Sequence, residues 1–195
     1  MSYKSPLTTS TDWGVARVDG TSITATNGII SINAVPPPSL NYGFFYDTTT
    51  QLNPVASAVN AVSWDTIPTF NQVILNPPTK LTVLNAGTYT KVFTVSLQKT
   101  SPGAPTIASI WLRYSPTIAG PSVDVVESRQ DIEVPNQVAL LFVTGNYTLD
   151  MAANSYLEMC WSCSDTSVQL AAAPATVGPV RPAIPSAKIT LTRIS

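Results

Sequence analysis

The chain has 195 residues, of which 44% are apolar and 11% are charged, and its formal net charge is −1. An apolar-rich chain of this length can bury a core without staples, so the composition excludes a disordered protein. The 10 basic residues are scattered and form no patch that would neutralise phosphates, so we expect no nucleic acid partner. A surface with so few charged residues would make a monomer poorly soluble, which indicates that other copies or a partner cover much of it.

Residues 1–35 form the first predicted segment, an attachment arm. Two runs at 21–25 and 29–33 flank Asn27-Gly28, a dipeptide typical of a type I′ turn, and therefore predict a β-hairpin. Two strands alone are marginally stable in water, so the arm needs a partner. The alternative is that 1–35 is simply the first hairpin of the main domain. The candidate anchoring residues of the arm are its aromatic and isoleucine side chains Tyr3, Trp13, Ile23, Ile29, Ile30 and Ile32.

Pro36-Pro37-Pro38 mark a stiff, extended spacer through which no sheet can continue. We place this spacer at 36–41 and the main domain at 42–195. In the main domain, turn signals such as Gly145-Asn146 separate short runs of alternating apolar and polar residues, which predicts an all-β, jelly-roll β-sandwich of about eight to ten strands. The predicted strands are 42–46, 58–64, 73–75, 80–84, 89–98, 107–114, 123–127, 138–143, 156–162 and 187–194.

The sequence offers little catalytic chemistry. Histidine is absent, which removes Ser-His-Asp and Cys-His catalysis and most zinc sites, so we expect a protein that is not an enzyme and holds no cofactor or metal. Four carboxylates, at 124, 127, 131 and 133, fall within one stretch and leave a glycosidase pair or a calcium site as alternatives. A solvated loop partly paired to Arg129 is the simpler interpretation.

Cysteine and tryptophan residues are interpreted as parts of the fold. Cys160 and Cys163 lie three residues apart, and alternation along a strand sends such positions to opposite faces, so they are predicted to be two ordinary thiols. Trp111 and Trp161 sit in central strands and are predicted to be core, with a sugar-binding groove as the alternative. The longest apolar run, 138–143, is too short to span a membrane, and the amino terminus lacks the apolar core of a signal peptide.

Five spaced blocks of the sequence carry a family resemblance. They are Tyr-Gly-Phe-Phe-Tyr-Asp-Thr-Thr-Thr-Gln at 42–51, Asn-Ala-Gly-Thr-Tyr at 85–89, Ile-Trp-Leu-Arg at 110–113, Tyr-Leu-Glu with Trp-Ser within 156–162, and Pro-Ala-Ile-Pro-Ser at 182–186. This order resembles a family of small phage and marine-virus virion proteins, which are in turn similar to the trimeric jelly rolls of tumour-necrosis-factor and complement globular domains. The chain departs from the family at 113–116, where Arg-Tyr-Ser-Pro replaces a Lys-Asn-Gly turn. The run 19–32 is similar to β segments near the attachment ends of tail and head fibres.

The resemblance implies a function and a set of partners. It implies a homotrimer in the virion, made in a host cytoplasm and docked to capsid or other virion proteins through residues 1–35, as a capsid decoration or head fibre. The alternative is the receptor-binding tip of a tail or head fibre, recognising a host-surface glycan through loops at 115–121 and 145–154. Neither a nucleic acid nor a membrane partner is expected. The candidate residues around the threefold axis are Tyr89, Phe93, Tyr156, Ile189 and Leu191.

Overall fold

A computed structural model describes residues 40–136 and 139–195 in full, and the strand backbone at 23–26 and 29–32. The chain divides into two compact units, Met1–Ser39 and Leu40–Ser195. In the first unit, β1 (Ile23–Thr26) and β2 (Ile29–Ile32) pair antiparallel, with Thr26 opposite Ile29, as the predicted hairpin requires. The candidate anchors Ile23, Ile29, Ile30 and Ile32 lie on these two strands, whereas Tyr3, Trp13 and the prolines of the spacer lie outside the described residues.

All the secondary-structure elements described in the second unit are β-strands. The structure has no helix, among the residues it describes, that is long and apolar enough to cross a membrane. In chain order the strands are β3 (Tyr42–Asp47), β4 (Gln51–Leu52), β5 (Asn60–Ala61), β6 (Thr66–Asn71), β7 (Val73–Asn76), β8 (Lys80–Val83), β9 (Gly87–Lys99), β10 (Thr106–Ser115), β11 (Val123–Asp124), β12 (Gln130–Val134), β13 (Leu141–Met151), β14 (Ser155–Cys163), β15 (Val168–Leu170), β16 (Thr176–Val177), β17 (Val180–Arg181) and β18 (Ala187–Arg193).

Two seven-stranded sheets form the body of this unit. Sheet I has the order β11–β10–β14–β8–β7, with β12 also paired to β10 and β5 to β14. Sheet II has the order β4–β15–β9–β18–β3–β6, with β13 paired to β9. The last strand, β18, arrives after a long connection and inserts between β9 and β3, which is the return that a Greek key requires. The predicted all-β jelly-roll sandwich is therefore confirmed.

The core lies between the two sheets, and strand alternation decides which side chains enter it. On β9, Tyr89, Phe93 and Val95 are buried and belong to the core, while the threonines between them point outward. From β14, Leu157 and Trp161 meet them, which confirms the prediction that Trp161 is core. Apolar residues at every second position thus give each sheet one dry face, and burial of these faces stabilises the sandwich.

Several predicted elements differ in the structure. Of the run 58–64 only Asn60–Ala61 is a strand, and of 123–127 only Val123–Asp124. The predicted turn at Gly145-Asn146 is wrong, because β13 runs without a break from Leu141 to Met151. The predicted receptor loop at 145–154 is therefore mostly strand. The reason is that Gly145 pairs with Phe93 of β9, whose ring needs the space that a side chain at 145 would fill.

Candidate functional site

The five residues proposed for the threefold axis are all buried within a single chain. Tyr89, Phe93, Ile189 and Leu191 point from sheet II into the core. Tyr156 lies on the outer side of sheet I beneath the loop after β10, where its hydroxyl donates to the carbonyl oxygen of Gly120 at 3.0 Å. A side chain that is fully buried within its own chain has no surface with which to contact a second chain. Within the chain these residues are core and loop supports instead.

The outer face of sheet II, here called the aromatic face, carries exposed apolar groups. Tyr42, Phe44 and Tyr46 alternate outward along β3, and the rings of Phe44 and Tyr46 lie 5.8 Å apart. Val92 of β9 and Phe142 of β13 are exposed on the same side. Strand pairing places these residues on one side of the sheet, where Lys188, Thr190 and Thr192 of β18 lie between the rings of β3 and Val92 of β9.

Polar groups on the aromatic face are largely threonines that bond to one another. The hydroxyls of Thr94 and Thr144 are 3.0 Å apart, and those of Thr90 and Thr148 are 3.3 Å apart. Because these hydroxyls bond to one another across the strands, the face offers fewer free polar groups than its composition indicates. Among the described residues, alternation along the strands places only two charged side chains here, those of Lys188 and Asp150.

A cavity of about 370 Å³ opens on the aromatic face. Its floor is formed by Phe44, Tyr46 and Lys188, and its wall is the segment 183–185 before β18. A smaller cavity on the far side of Pro185 is lined by Phe142 and its neighbours. The face is therefore not flat, and a second protein surface can interlock with it.

The outer face of sheet I has a different character because it carries paired charges around a tryptophan. The indole Nε1 of Trp111 donates to Asp124 Oδ1 at 2.8 Å, and Arg113 Nε donates to the same oxygen at 2.7 Å. The guanidinium carbon of Arg113 lies 5.9 Å from the centre of the Trp111 ring. The bonds from Arg113 and then Trp111 lower the pKa of Asp124, and the bond to Asp124 raises the pKa of Arg113.

A second ion pair borders the same tryptophan. Arg129 donates through Nε and Nη2 to the two oxygens of Asp131 at 2.7 and 2.8 Å, and the Ser109 hydroxyl adds a bond of 2.6 Å. The bonds from Arg129 and then Ser109 lower the pKa of Asp131. Between the two pairs lies a groove of about 280 Å³, the tryptophan groove, lined by Ser109, Trp111, Asp124, Val125, Arg129 and Ser162.

The prediction that Trp111 is core is wrong, because its indole is only partly buried and lines the tryptophan groove. The signal was present in the alternation of β10. Ile110 and Leu112 enter the core, so Trp111 must share the opposite face with Ser109 and Arg113. Polar neighbours at i−2 and i+2 indicated an outward tryptophan.

The two cysteines occupy opposite sides of sheet I, as alternation predicts. Cys163 belongs to the core, whereas Cys160 lies opposite Trp111 on the outer side, and both are buried and free. Burial raises the pKa of the Cys160 thiol to about 12. Within the described residues, no three His, Cys, Asp or Glu side chains come together as metal ligands.

The sequence matches no protein-family model and no curated protein. Among solved structures, the chain is similar to murine APRIL in crystals at pH 5.0 and pH 8.0, with 8% identity and TM-scores of 0.52 and 0.54, covering 80% of this chain and 99% of that one. It is also similar to the globular domain of zebrafish complement 1qA protein, with 14% identity and a TM-score of 0.49, covering 80% and 96% of the two chains. The likeness to APRIL concerns the fold and supports a jelly-roll sandwich. The relation to virion proteins stays a prediction.

Proposed function

We propose that the chain is a non-enzymatic structural protein of a virus particle, which assembles as a homotrimer and docks through residues 1–35 as a capsid decoration or head fibre. The observation that carries the proposal is the aromatic face. Half-buried rings on β3 and the exposed Val92 and Phe142 on β9 and β13 share this side of sheet II with the threonines of β18 and with only two charges, among the described residues. Contiguous apolar surface of this kind typically marks a site of protein association.

Self-association through this face follows from its composition. Apolar burial drives association without directional partners, so a surface of rings and methyl groups suits contact with a second copy. In a cyclic trimer, each subunit contact joins two different surfaces of the chain. The cavity beside Phe44 and Tyr46 at one side, and the exposed Phe142 at the other, supply a hollow and a projection.

The virion assignment rests on the five sequence blocks and on the amino-terminal unit. The hairpin of β1 and β2 has only 4 residues in each strand. A pair of strands this short is marginal in water, which favours a binding partner for the arm. The predicted spacer at 36–41 suits a display protein, because proline-rich linkers act in general as semi-rigid spacers.

A non-enzymatic role is supported by the state of two carboxylates, Asp124 in the tryptophan groove and Asp131, which pairs with the groove residue Arg129. Asp124 and Asp131 are each bonded to an arginine, which holds both in the ionised form. A glycosidase needs one carboxyl that keeps its proton near neutrality. These two residues do not meet that requirement.

The trimer is tested by measuring the mass of the full chain in solution by light scattering after size-exclusion chromatography. We expect three times the chain mass of 20.7 kDa. Phe142→Glu should reduce the trimer to monomers, because it places a charge in the apolar contact. Phe70→Glu is the matched control, since both side chains are 54% exposed but Phe70 lies on edge strand β6, where alternation turns it away from the aromatic face. A monomeric wild-type chain would contradict the trimer.

The particle role is tested separately with labelled protein. Full-length protein should bind virus particles that lack it, and protein without residues 1–35 should not. Imaging of the decorated particle then locates the bound copies. Binding to host cells in place of particles would contradict docking and favour the receptor-binding alternative.

A further inference from the structure

We propose that the tryptophan groove binds a neutral sugar ring, which stacks on Trp111 and bonds to Asp124, Arg129 and Ser162. This site lies on sheet I, on the opposite side of the sandwich from the aromatic face, and it goes beyond the proposed role in assembly. The inference stands on the geometry and charge of the groove, so it does not depend on the virion assignment.

The first argument is that Trp111 is held in place as a platform. Its indole Nε1 bonds to Asp124 at 2.8 Å, and the Arg113 guanidinium lies against the ring system at 5.9 Å. The rotation of the ring is thus fixed from two sides before any ligand arrives. A ligand that binds a preorganised aromatic surface loses less free energy to ordering than one that must fix a mobile side chain.

The second argument is the size of the groove. A volume of about 280 Å³ lies just below the usual range of about 300–1,000 Å³ for small-ligand sites, which favours a ligand of about one ring. Small-ligand sites combine apolar or aromatic walls with a few placed polar groups. Here the wall is Trp111 with Val125, and the polar groups are Asp124, Arg129 and the two serine hydroxyls.

The third argument concerns charge, and it selects a neutral ligand. Asp124 pairs with Arg113 and Asp131 pairs with Arg129, each at 2.7 Å, so each of these four charges has a partner, and the Glu158 carboxylate opposite Arg113 further disfavours an anionic ligand. A charged ligand would have to displace one of these partners. A polyhydroxyl ligand can add to them instead, because each hydroxyl both donates and accepts.

The polar atoms that remain suit such a ligand. Asp124 Oδ2 and Arg129 Nη1 form no hydrogen bond with any residue in the ranges 40–136 and 139–195. A free acceptor, Asp124 Oδ2, and a free donor, Arg129 Nη1, therefore lie beside the aromatic ring of Trp111. A sugar ring presents the matching arrangement, with C–H groups on its face and hydroxyls around its rim.

The groove stays accessible in the proposed trimer. Association through the aromatic face leaves sheet I outward, so three grooves would face the surroundings. Single-ring ligands bind weakly to small sites, but three linked sites on one particle-bound trimer would raise the avidity for a surface that displays many sugars.

The test is saturation-transfer NMR on the full chain with methyl glycosides of glucose, galactose and mannose at millimolar concentration. We expect transfer to the ring C–H protons of at least one of these sugars, because the stacked face lies closest to the protein. Trp111→Ala and Arg129→Ala should each weaken binding by about tenfold or more. Arg129 is highly exposed, so its variant keeps the site testable even where loss of Trp111 affects folding.

Phe70→Ala is the matched control, since it removes an exposed ring from the far edge strand β6 and should leave sugar binding unchanged. Absence of transfer to all three glycosides would overturn the proposal. Transfer that survives both groove variants would also overturn it, because the sugar would then bind elsewhere. Binding of methyl glucuronide or sialic acid, without binding of any neutral glycoside, would reject the neutral class that the paired charges predict.

Discussion

Gly145 on β13 lies directly opposite Phe93 on β9, and the ring of Phe93 occupies the space that a side chain at 145 would need. A Cβ at this position would also meet the side-chain amide of Gln130. The glycine is therefore a packing requirement inside a continuous strand, and it lets an aromatic ring fold over the backbone of the neighbouring strand.

The first prediction is that Gly145→Ala destabilises the protein by about 1–3 kcal/mol, the usual cost of forcing extra volume into a packed core. Urea unfolding at a fixed protein concentration measures this change. Gly178→Ala is the control, because a Cβ there meets no atom within 4 Å, and we expect no measurable loss. Equal effects of the two substitutions would contradict the packing role of Gly145.

The second prediction concerns the ion pair between Lys99 and Asp165. Their atoms Nζ and Oδ2 are 2.8 Å apart, and the lysine side chain is 1% exposed against 32% for the aspartate. The bond from Lys99, with further bonds from Ser167, lowers the pKa of Asp165 to about 2. Because this pKa lies below the ordinary value of 3.8, the pair stabilises the fold above that value and the stabilisation is lost as the pH falls towards 2.

Asp165→Asn should therefore cost about 2 kcal/mol at pH 7, since it leaves a buried ammonium group without its counter-ion, and partial exposure of the partner keeps the loss below that of a fully buried pair. The substitution should cost much less at pH 2. Asp131→Asn removes an equally short but exposed pair and should leave stability unchanged. A loss for Asp165→Asn that is the same at pH 7 and pH 2 would argue against the ion pair as its cause.

The third prediction concerns Lys91, whose side chain lies wholly inside the sandwich and donates to the carbonyl oxygens of Tyr89 and Leu149. Burial lowers its pKa to about 7, with Asp150 acting in the opposite direction. The unfolded chain binds a proton at this lysine up to a pH near its ordinary pKa of 10.5, while the folded chain releases it near 7. Between these values the unfolded state carries more protons, so stability should rise with pH.

Lys91→Met should remove that rise, and its free energy of unfolding should exceed the wild-type value by most at pH 6. Asp150→Asn should shift the start of the rise to lower pH, because the charge that supports protonated Lys91 is gone. Urea unfolding from pH 6 to pH 9 gives both results. Parallel profiles for wild type and Lys91→Met would contradict the buried titration.

The fourth prediction is that neither cysteine reacts with a thiol reagent in the native protein at pH 8. Both side chains are buried, and the pKa of Cys160 near 12 leaves almost no thiolate. Guanidinium chloride should expose two reactive thiols. Ser162→Cys provides a positive control, because a thiol there lines the open tryptophan groove and should react quickly. Rapid modification of a native wild-type thiol would show that this part of sheet I opens.

Strand alternation was sufficient to predict the sandwich, but it did not assign the faces of sheet II. Tyr42, Phe44 and Tyr46 alternate with Gly43 and Phe45 along β3, so both faces are aromatic and the periodic pattern is ambiguous. The buried aromatics Tyr89 and Phe93 were consequently proposed for the trimer axis. Only the folded structure, in which β9 pairs with β13 and β18, shows that Tyr89 and Phe93 are on the face of sheet II that packs against sheet I.

Other elements escaped prediction because tertiary contacts decide them. The predicted strands do not include 66–71, yet β6 lies there as the edge strand of its sheet, where Pro68 is tolerated. Gly145 read as a turn because the ring that requires it belongs to a residue 52 positions earlier, Phe93, which pairs with it only in the fold. The tryptophan groove joins β10, β11 and β14, and its charged side chains pair only after these strands have come together in the sheet.

A trimer held together by the aromatic face should be insensitive to ionic strength but sensitive to low temperature. Two charged side chains give dissolved ions little to screen, so ionic strength should barely affect the contact. Apolar attraction, in contrast, fades as water cools. We therefore expect such trimers to persist at high salt concentration and to dissociate into monomers at temperatures of about 0 °C.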